Sequence, residues 1–217
     1  VEIIGGWEAK PHSRPYMAYL EIQSGNDTYR CGGFLVSENF VLTAAHCNGD
    51  EITVSLGAHN IKQQERSRQK ITARRQIPHP QYNNEPLNND IMLLQLEKSA
   101  KLNEWVGTIG LPRSNERVKA GTECSVAGWG STRTEYLLFP DTLQEVDVVV
   151  MPDAKFGSNK IRVQYLVGPC QQYNTKRVQA APGNLGELHS TPGAALRGNT
   201  SPLGSTESEC RKKLLIK

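Results

Sequence analysis

Thr43-Ala44-Ala45-His46-Cys47 joins a run of small residues to a histidine and a cysteine. Small residues follow an apolar segment, Phe40-Val41-Leu42-Thr43, and deliver a histidine beside a cysteine. Cys31 lies one predicted strand earlier, and a disulfide between Cys31 and Cys47 would close a short loop and fix the histidine at a strand end. That fixing matters, because a general base has to reach its partner. A second stretch, Asn88-Asn89-Asp90-Ile91-Met92-Leu93-Leu94, sets a carboxylate just before an apolar strand. Buried there against an imidazole, it would hold the correct tautomer. Taken singly, each residue has a plainer reading, His46 as a structural or surface histidine and Asp90 as a turn residue.

Outward from these stretches, short apolar segments recur through about Met151: Met17–Ile22, Gly33–Val36, Phe40–Thr43, Ile52–Leu56, Ile91–Leu96, Cys124–Trp129 and Leu143–Val150. Gly, Asn, Asp and Pro punctuate them at intervals suited to a β-barrel or sandwich, so the pattern predicts an all-β protein. After about Asp153 the character changes. Pro182–Gly186 and Thr191–Thr206 combine small residues with breakers and offer almost no β-branched alternation, which predicts a largely unstructured tail. The end, Arg211-Lys212-Lys213-Leu214-Leu215-Ile216, reads as part of that solvated tail.

Composition narrows the function classes. With 217 residues an all-β chain can form a single architectural unit. The formal charge of +3, from 25 basic and 22 acidic residues, is mild and dispersed, so a nucleic-acid partner is not expected. No apolar run is long enough to span a bilayer, and Val1-Glu2-Ile3-Ile4-Gly5-Gly6 lacks the pattern of a signal peptide. The five cysteines, Cys31, Cys47, Cys124, Cys170 and Cys210, lack the close pairs of zinc sites, so disulfides in an oxidising compartment are expected, with at least one cysteine left over. Asn26-Asp27-Thr28 and Asn199-Thr200-Ser201 are N-glycosylation acceptors. His59 and His79 sit in polar, turn-like stretches without a spaced ligand set and read as surface histidines, so no metal is assigned. No phosphate loop or dinucleotide fingerprint appears, and no cofactor is expected.

The two stretches together carry more than either alone. Leu42–Cys47 followed by Asn89–Leu94 resembles, in family order, the histidine and aspartate motifs of chymotrypsin-like serine proteases. Ile3-Ile4-Gly5-Gly6 is similar to their activation site, Cys31-Gly32-Gly33-Phe34-Leu35 to the strand before the histidine, and Gly128-Trp129-Gly130-Ser131-Thr132 to the start of their second barrel. His12–Ala18 and Gln144-Glu145-Val146 look like the branch containing granzymes, mast-cell chymases and cathepsin G. The resemblance spans residues 3–153 and implies a chymotrypsin-like double β-barrel with His46 and Asp90 as catalytic residues. It implies that Val1-Glu2 is an activation dipeptide cut between Glu2 and Ile3, so that the chain as written is a zymogen whose freed Ile3 would pair with an aspartate before the nucleophile. It further implies a monomer, secreted or held in a secretory granule. The partners implied are protein or peptide substrates, protease inhibitors and granule proteoglycans.

The resemblance ends where the nucleophile should be. Gly-Asp-Ser-Gly-Gly-Pro, which supplies the serine, the oxyanion-hole amides and that aspartate in the family, does not occur in the 217 residues. Ser158, Ser190, Ser201, Ser205 and Ser208 all stand in unrelated contexts. The specificity pocket belongs to the missing region, and Cys124 is left to pair with Cys170 or Cys210, or to stay unpaired. The expectation is therefore a folded first barrel, an incomplete and frayed second barrel that strands the apolar faces of Val126 and Val148–Val150, and a divergent tail over 154–217. Three functions stay open: a granule-type serine endopeptidase, a catalytically defective homologue serving as a binding module or decoy, and a non-functional product of an aberrant transcript. Loops such as Gly57–Asn60 and Pro78–Tyr82 would be the partner-binding surface of the second.

Overall fold

The computed structural model describes residues 3–85, 87–112, 118–133, 138–151, 163–165 and 195–198. Six strands close into a barrel in the order β2 (Met17–Ser24), β3 (Asp27–Ser37), β4 (Phe40–Thr43), β9 (Met92–Leu96), β6 (Gln69–Pro78) and β5 (Glu51–Leu56). Every pairing is antiparallel. Side chains alternate between the faces of a strand, so the period-2 segments of the sequence point one set inward. In β9 Met92, Leu94 and Leu96 are buried while Leu93 and Gln95 are partly exposed. Leu20, Ile22, Leu35, Val41, Ile52, Val54 and Leu56 complete the barrel core. A fully buried Leu or Ile contributes about 1.5–3 kcal/mol, so this set is the main stabilising element.

β6 is the strand the hydrophobic pattern does not announce. It carries Lys70, Arg74 and Arg75 outward and fully buries only Ile71. It is extended because β5 on one side and β9 on the other both offer unpaired backbone groups, and its ten residues satisfy both.

The second unit is a five-stranded sheet: β1 (Trp7–Glu8), β11 (Gln144–Val150), β10 (Glu123–Gly128) and β13 (Ala195–Gly198) in order, with β12 (Val163–Tyr165) also on β11. The short pair β7 (Asn83–Asn84) and β8 (Leu87–Asn88) stands apart. Among the described residues the only helical element is a 3-10 turn at Ala45–Cys47. Val126, Val148 and Val150 are buried, contrary to the expectation of stranded apolar faces. The strand edges are satisfied as well: β10 lies between β11 and β13, and β11 is flanked by β10 on one side and by β1 and β12 on the other, so β12 and β13 place strands in the region expected to be an unstructured tail.

The sheet is fastened to the barrel by buried polar contacts. Arg14 donates to Glu145 at 2.7 Å, to Ser125 Oγ at 2.8 Å and to the Tyr16 hydroxyl at 3.1 Å. Burial alone would lower the guanidinium pKa, but Tyr16 and Glu145 outweigh it and hold Arg14 above its ordinary value. The Trp129 indole donates to the His59 carbonyl at 3.0 Å and meets Tyr19 edge-on at 5.6 Å.

Candidate active site

Antiparallel pairing of β4 with β9 sets Thr43 opposite Met92, so the chain leaving β4 and the chain entering β9 meet at one end of the barrel. His46 follows Thr43 on the 3-10 turn, and Asp90 stands just before β9. The turn is fixed through its last residue: Cys47 is bonded to Cys31 on β3, with Cα atoms 6.2 Å apart, confirming the expected disulfide. Asn89 takes a left-handed φ of 53°, a conformation that Asn tolerates better than most residues, and its side-chain amide donates to the Gln81 carbonyl at 2.9 Å. This bend presents the Asp90 carboxylate to the histidine.

The two are held twice. The His46 backbone N–H donates to Asp90 Oδ1 at 2.8 Å, and His46 Nδ1 lies 2.6 Å from Asp90 Oδ2. The Asp90 side chain is 3% exposed and that of His46 is 32% exposed. Burial by itself would raise the Asp90 pKa; the hydrogen bonds from the His46 ring and backbone, the Coulombic interaction with His46 and the Ala45 amide together hold the carboxyl below its ordinary value. An ionised, buried carboxylate on Nδ1 fixes the tautomer with Nδ1–H toward Asp90, leaving the Nε2 lone pair to accept a proton from the half-exposed side. This is the acid–base half of a nucleophilic triad.

Ile3, the sequence-predicted activation residue, is wholly buried, and its backbone N–H donates to the Ser131 carbonyl at 2.6 Å. A Cβ on Gly6 would lie 2.4 Å from the Glu145 carbonyl oxygen and 2.9 Å from Ile3 Cγ2, so only glycine lets the segment pass this closely over β11. Glu2 lies outside the described residues, as do Ser158, Ser190, Ser201, Ser205, Ser208, Cys170 and Cys210. Cys124 is buried on β10. The Cys31 and Cys47 sulfurs near His46 are bonded to each other and so offer no thiolates to a cation.

His59 corrects the sequence reading. It is 5% exposed rather than superficial; its Nε2 lies 2.9 Å from Glu8, and its carbonyl accepts from Trp129 and from the Leu143 backbone. Gly57 and Ala58 are buried with it, so Gly57–Asn60 is a seam between barrel and sheet and not a partner-binding loop. Its polarity misled because the His59 Nε2 and carbonyl meet partners across the seam that are distant in sequence, while Nδ1 is buried without a hydrogen-bond partner. Pro78–Tyr82 does lie at the surface, with His79 partly exposed.

The family model described as Trypsin matches residues 3–204. Human cathepsin G is 55% identical over 171 residues, covering 77% of this chain and 66% of that protein. Sheep mast cell protease 3 is 57% identical over 154 residues, 71% of this chain and 61% of that protein. Human granzyme B is 56% identical over 158 residues, 73% and 64% respectively. The chain thus matches just under two thirds of the length of these relatives. A solved structure described as "Structure of GrC" superposes with a TM-score of 0.69 at 50% identity, covering 74% of this chain and 75% of that one.

Proposed function

Since this chain belongs to the trypsin family of serine proteases, in the branch of cathepsin G, the granzymes and the mast cell proteases, we propose that it is a protease scaffold that keeps the acid–base pair and lacks the nucleophile. The observation that carries this reading is the assembled His46–Asp90 pair, 2.6 Å apart, in a sequence that contains no Gly-Asp-Ser-Gly-Gly-Pro. His46 is the general base and Asp90 its orienting carboxylate. Peptide-bond hydrolysis further needs a hydroxyl within reach of Nε2 and amide donors for the oxyanion, and the hexapeptide supplies both in the family. The family model extends to residue 204, yet the hexapeptide does not occur anywhere in the 217 residues.

Val1-Glu2 is an activation dipeptide, and the buried seat of Ile3 against Ser131 supports this role. Secretion, or storage in a granule, is supported by the Cys31–Cys47 disulfide and by the likeness to mast cell proteases and granzymes. The closed barrel favours a folded, non-catalytic binder or decoy over a product that does not fold.

The test is labelling by a fluorophosphonate probe after removal of Val1-Glu2, with human cathepsin G as positive control. No labelling is expected, in a sample whose cooperative urea transition shows it to be folded. Labelling would reveal an activated serine in this chain and overturn the reading, whereas a folded sample without labelling retains it.

A further inference from the structure

The strands β2 and β3 are joined by a hairpin whose tip the catalytic reading does not use. Ser24 pairs with Asp27, leaving Gly25 and Asn26 as a two-residue loop. Gly25 has φ +59°, and the non-glycine residues with positive φ among those described are His12 and Asn89, so Asn26 keeps a negative φ. Glycine first with φ > 0 is the pattern of a type II′ turn, whose twist suits the flanking strands. Residues 23–28 are all exposed, and a Cβ built on Gly25 meets nothing within 4 Å. Asn26 is therefore the corner of a two-residue tip surrounded by open space, and Asn26-Asp27-Thr28 is an N-glycosylation acceptor.

We propose that Asn26 carries an N-linked oligosaccharide, and that this glycan stands on the rim of the His46–Asp90 site. The modification is a transfer from a lipid-pyrophosphate-linked oligosaccharide. The Asn26 side-chain nitrogen bonds to the sugar's anomeric carbon, the carbon–oxygen bond to pyrophosphate breaks, and the amide gives up one proton. A bulky, hydrated product is tolerated only where it displaces no packing, and the hairpin corner meets that condition. Thr28, the hydroxyl residue of the acceptor, bonds through Oγ1 to Gln23 Oε1 at 2.6 Å across the hairpin base, leaving the corner clear for the sugar.

The place on the rim follows from how the tip is tied down. The Gly25 N–H donates to Asp50 at 2.7 Å, the Asp50 N–H donates back to the Gln23 carbonyl at 2.7 Å, and the Tyr29 hydroxyl bonds to the Asn48 carbonyl. Asn48–Asp50 is the chain immediately after the turn that carries His46. The glycan thus flanks the imidazole and narrows the approach of macromolecular partners from that side.

The proposal rests on the secretory routing proposed above, so the experiment forces entry. The full chain is expressed in mammalian cells behind a cleavable signal, and both cell-associated and secreted pools are treated with peptide N-glycosidase in heavy-oxygen water. Isotope-marked Asp at position 26 is expected, with a mobility shift that, in an Asn199→Gln background removing the second acceptor, Asn26→Gln and Thr28→Ala abolish and Thr28→Ser retains. An unmodified Asn26 in chains whose signal has been removed and whose Cys31–Cys47 bond has formed would overturn the proposal. The same result would leave the protease reading untouched, because probe labelling reports on the nucleophile alone.

Discussion

In the barrel every strand has hydrogen-bonded neighbours on both sides, so the four residues of β4 are held as firmly as the eleven of β3. In the second sheet the path among described residues ends on β1, with two residues, and β13, with four. Both regions bury alternating apolar faces, yet closure gives the barrel stability through topology, while the sheet depends on ties to its neighbour such as Arg14–Glu145 and Trp129–His59. Where two neighbouring strands are already fixed, even a charged segment such as β6 is recruited. Where they are not, buried polar cross-links must do the fastening. His46 and Asp90 both stand on the closed unit, so their geometry depends little on the second sheet.

The sharpest way to break this comparison is a matched pair of core truncations. Leu94→Ala, at a wholly buried barrel position, is expected to cost about 2–5 kcal/mol in urea unfolding. Val148→Ala removes two methyl-sized groups from the sheet and is expected to cost about 1.5 kcal/mol at the usual value per buried carbon. A Val148→Ala loss equal to that of Leu94→Ala would mean that the sheet is no less cooperative than the barrel.

Replacing both Cys31 and Cys47 by Ala opens a loop of sequence separation 16 and is expected to cost about 3 kcal/mol. The His46 ring resonances should broaden as the turn loses its anchor, which NMR at neutral pH reads. A sharp, unshifted ring would show that Asp90 alone positions the base.

Arg14→Met removes the guanidinium clamp and is expected to cost about 1.5–3 kcal/mol, the range for hydrogen bonds to charged groups. Hydrogen exchange should speed up in β10 and β11 while β2 and β5 stay protected. Uniform loss across both regions would show that barrel and sheet unfold as one.

The smallest effects are electrostatic and run in opposite directions. Asp90 has its carboxyl lowered in the folded state, so its stabilisation is complete above the ordinary carboxylate pKa of about 3.9 and is lost as pH falls through the folded value. Asp147 on β11 is raised, chiefly by burial and then by Glu145 and Glu123 against the counteracting Arg14, so its ionised form destabilises at neutral pH and the penalty fades in acid. Asp90→Asn should flatten the acid limb of a stability-versus-pH curve. Asp147→Asn should stabilise the chain at pH 7 by less than about 1 kcal/mol. Destabilisation by Asp147→Asn would mean that the sheet uses that charge.

Strands whose apolar residues alternate are legible in the amino-acid pattern. Phe40–Thr43 has the predicted bounds, and Met17–Ile22, Ile52–Leu56 and Ile91–Leu96 differ from β2, β5 and β9 by one or two residues at an end. The local pattern also brought out the Cys31–Cys47 pair, whereas His46 and Asp90 stood out only because their two motifs together resemble those of chymotrypsin-like serine proteases. That Gln69–Pro78 closes the barrel, that His59 is buried against Glu8, and that Arg14 joins two units are visible in the folded molecule alone. In these cases the partner lies far along the chain, and a local pattern carries no record of a hydrogen bond or charge satisfied at that distance.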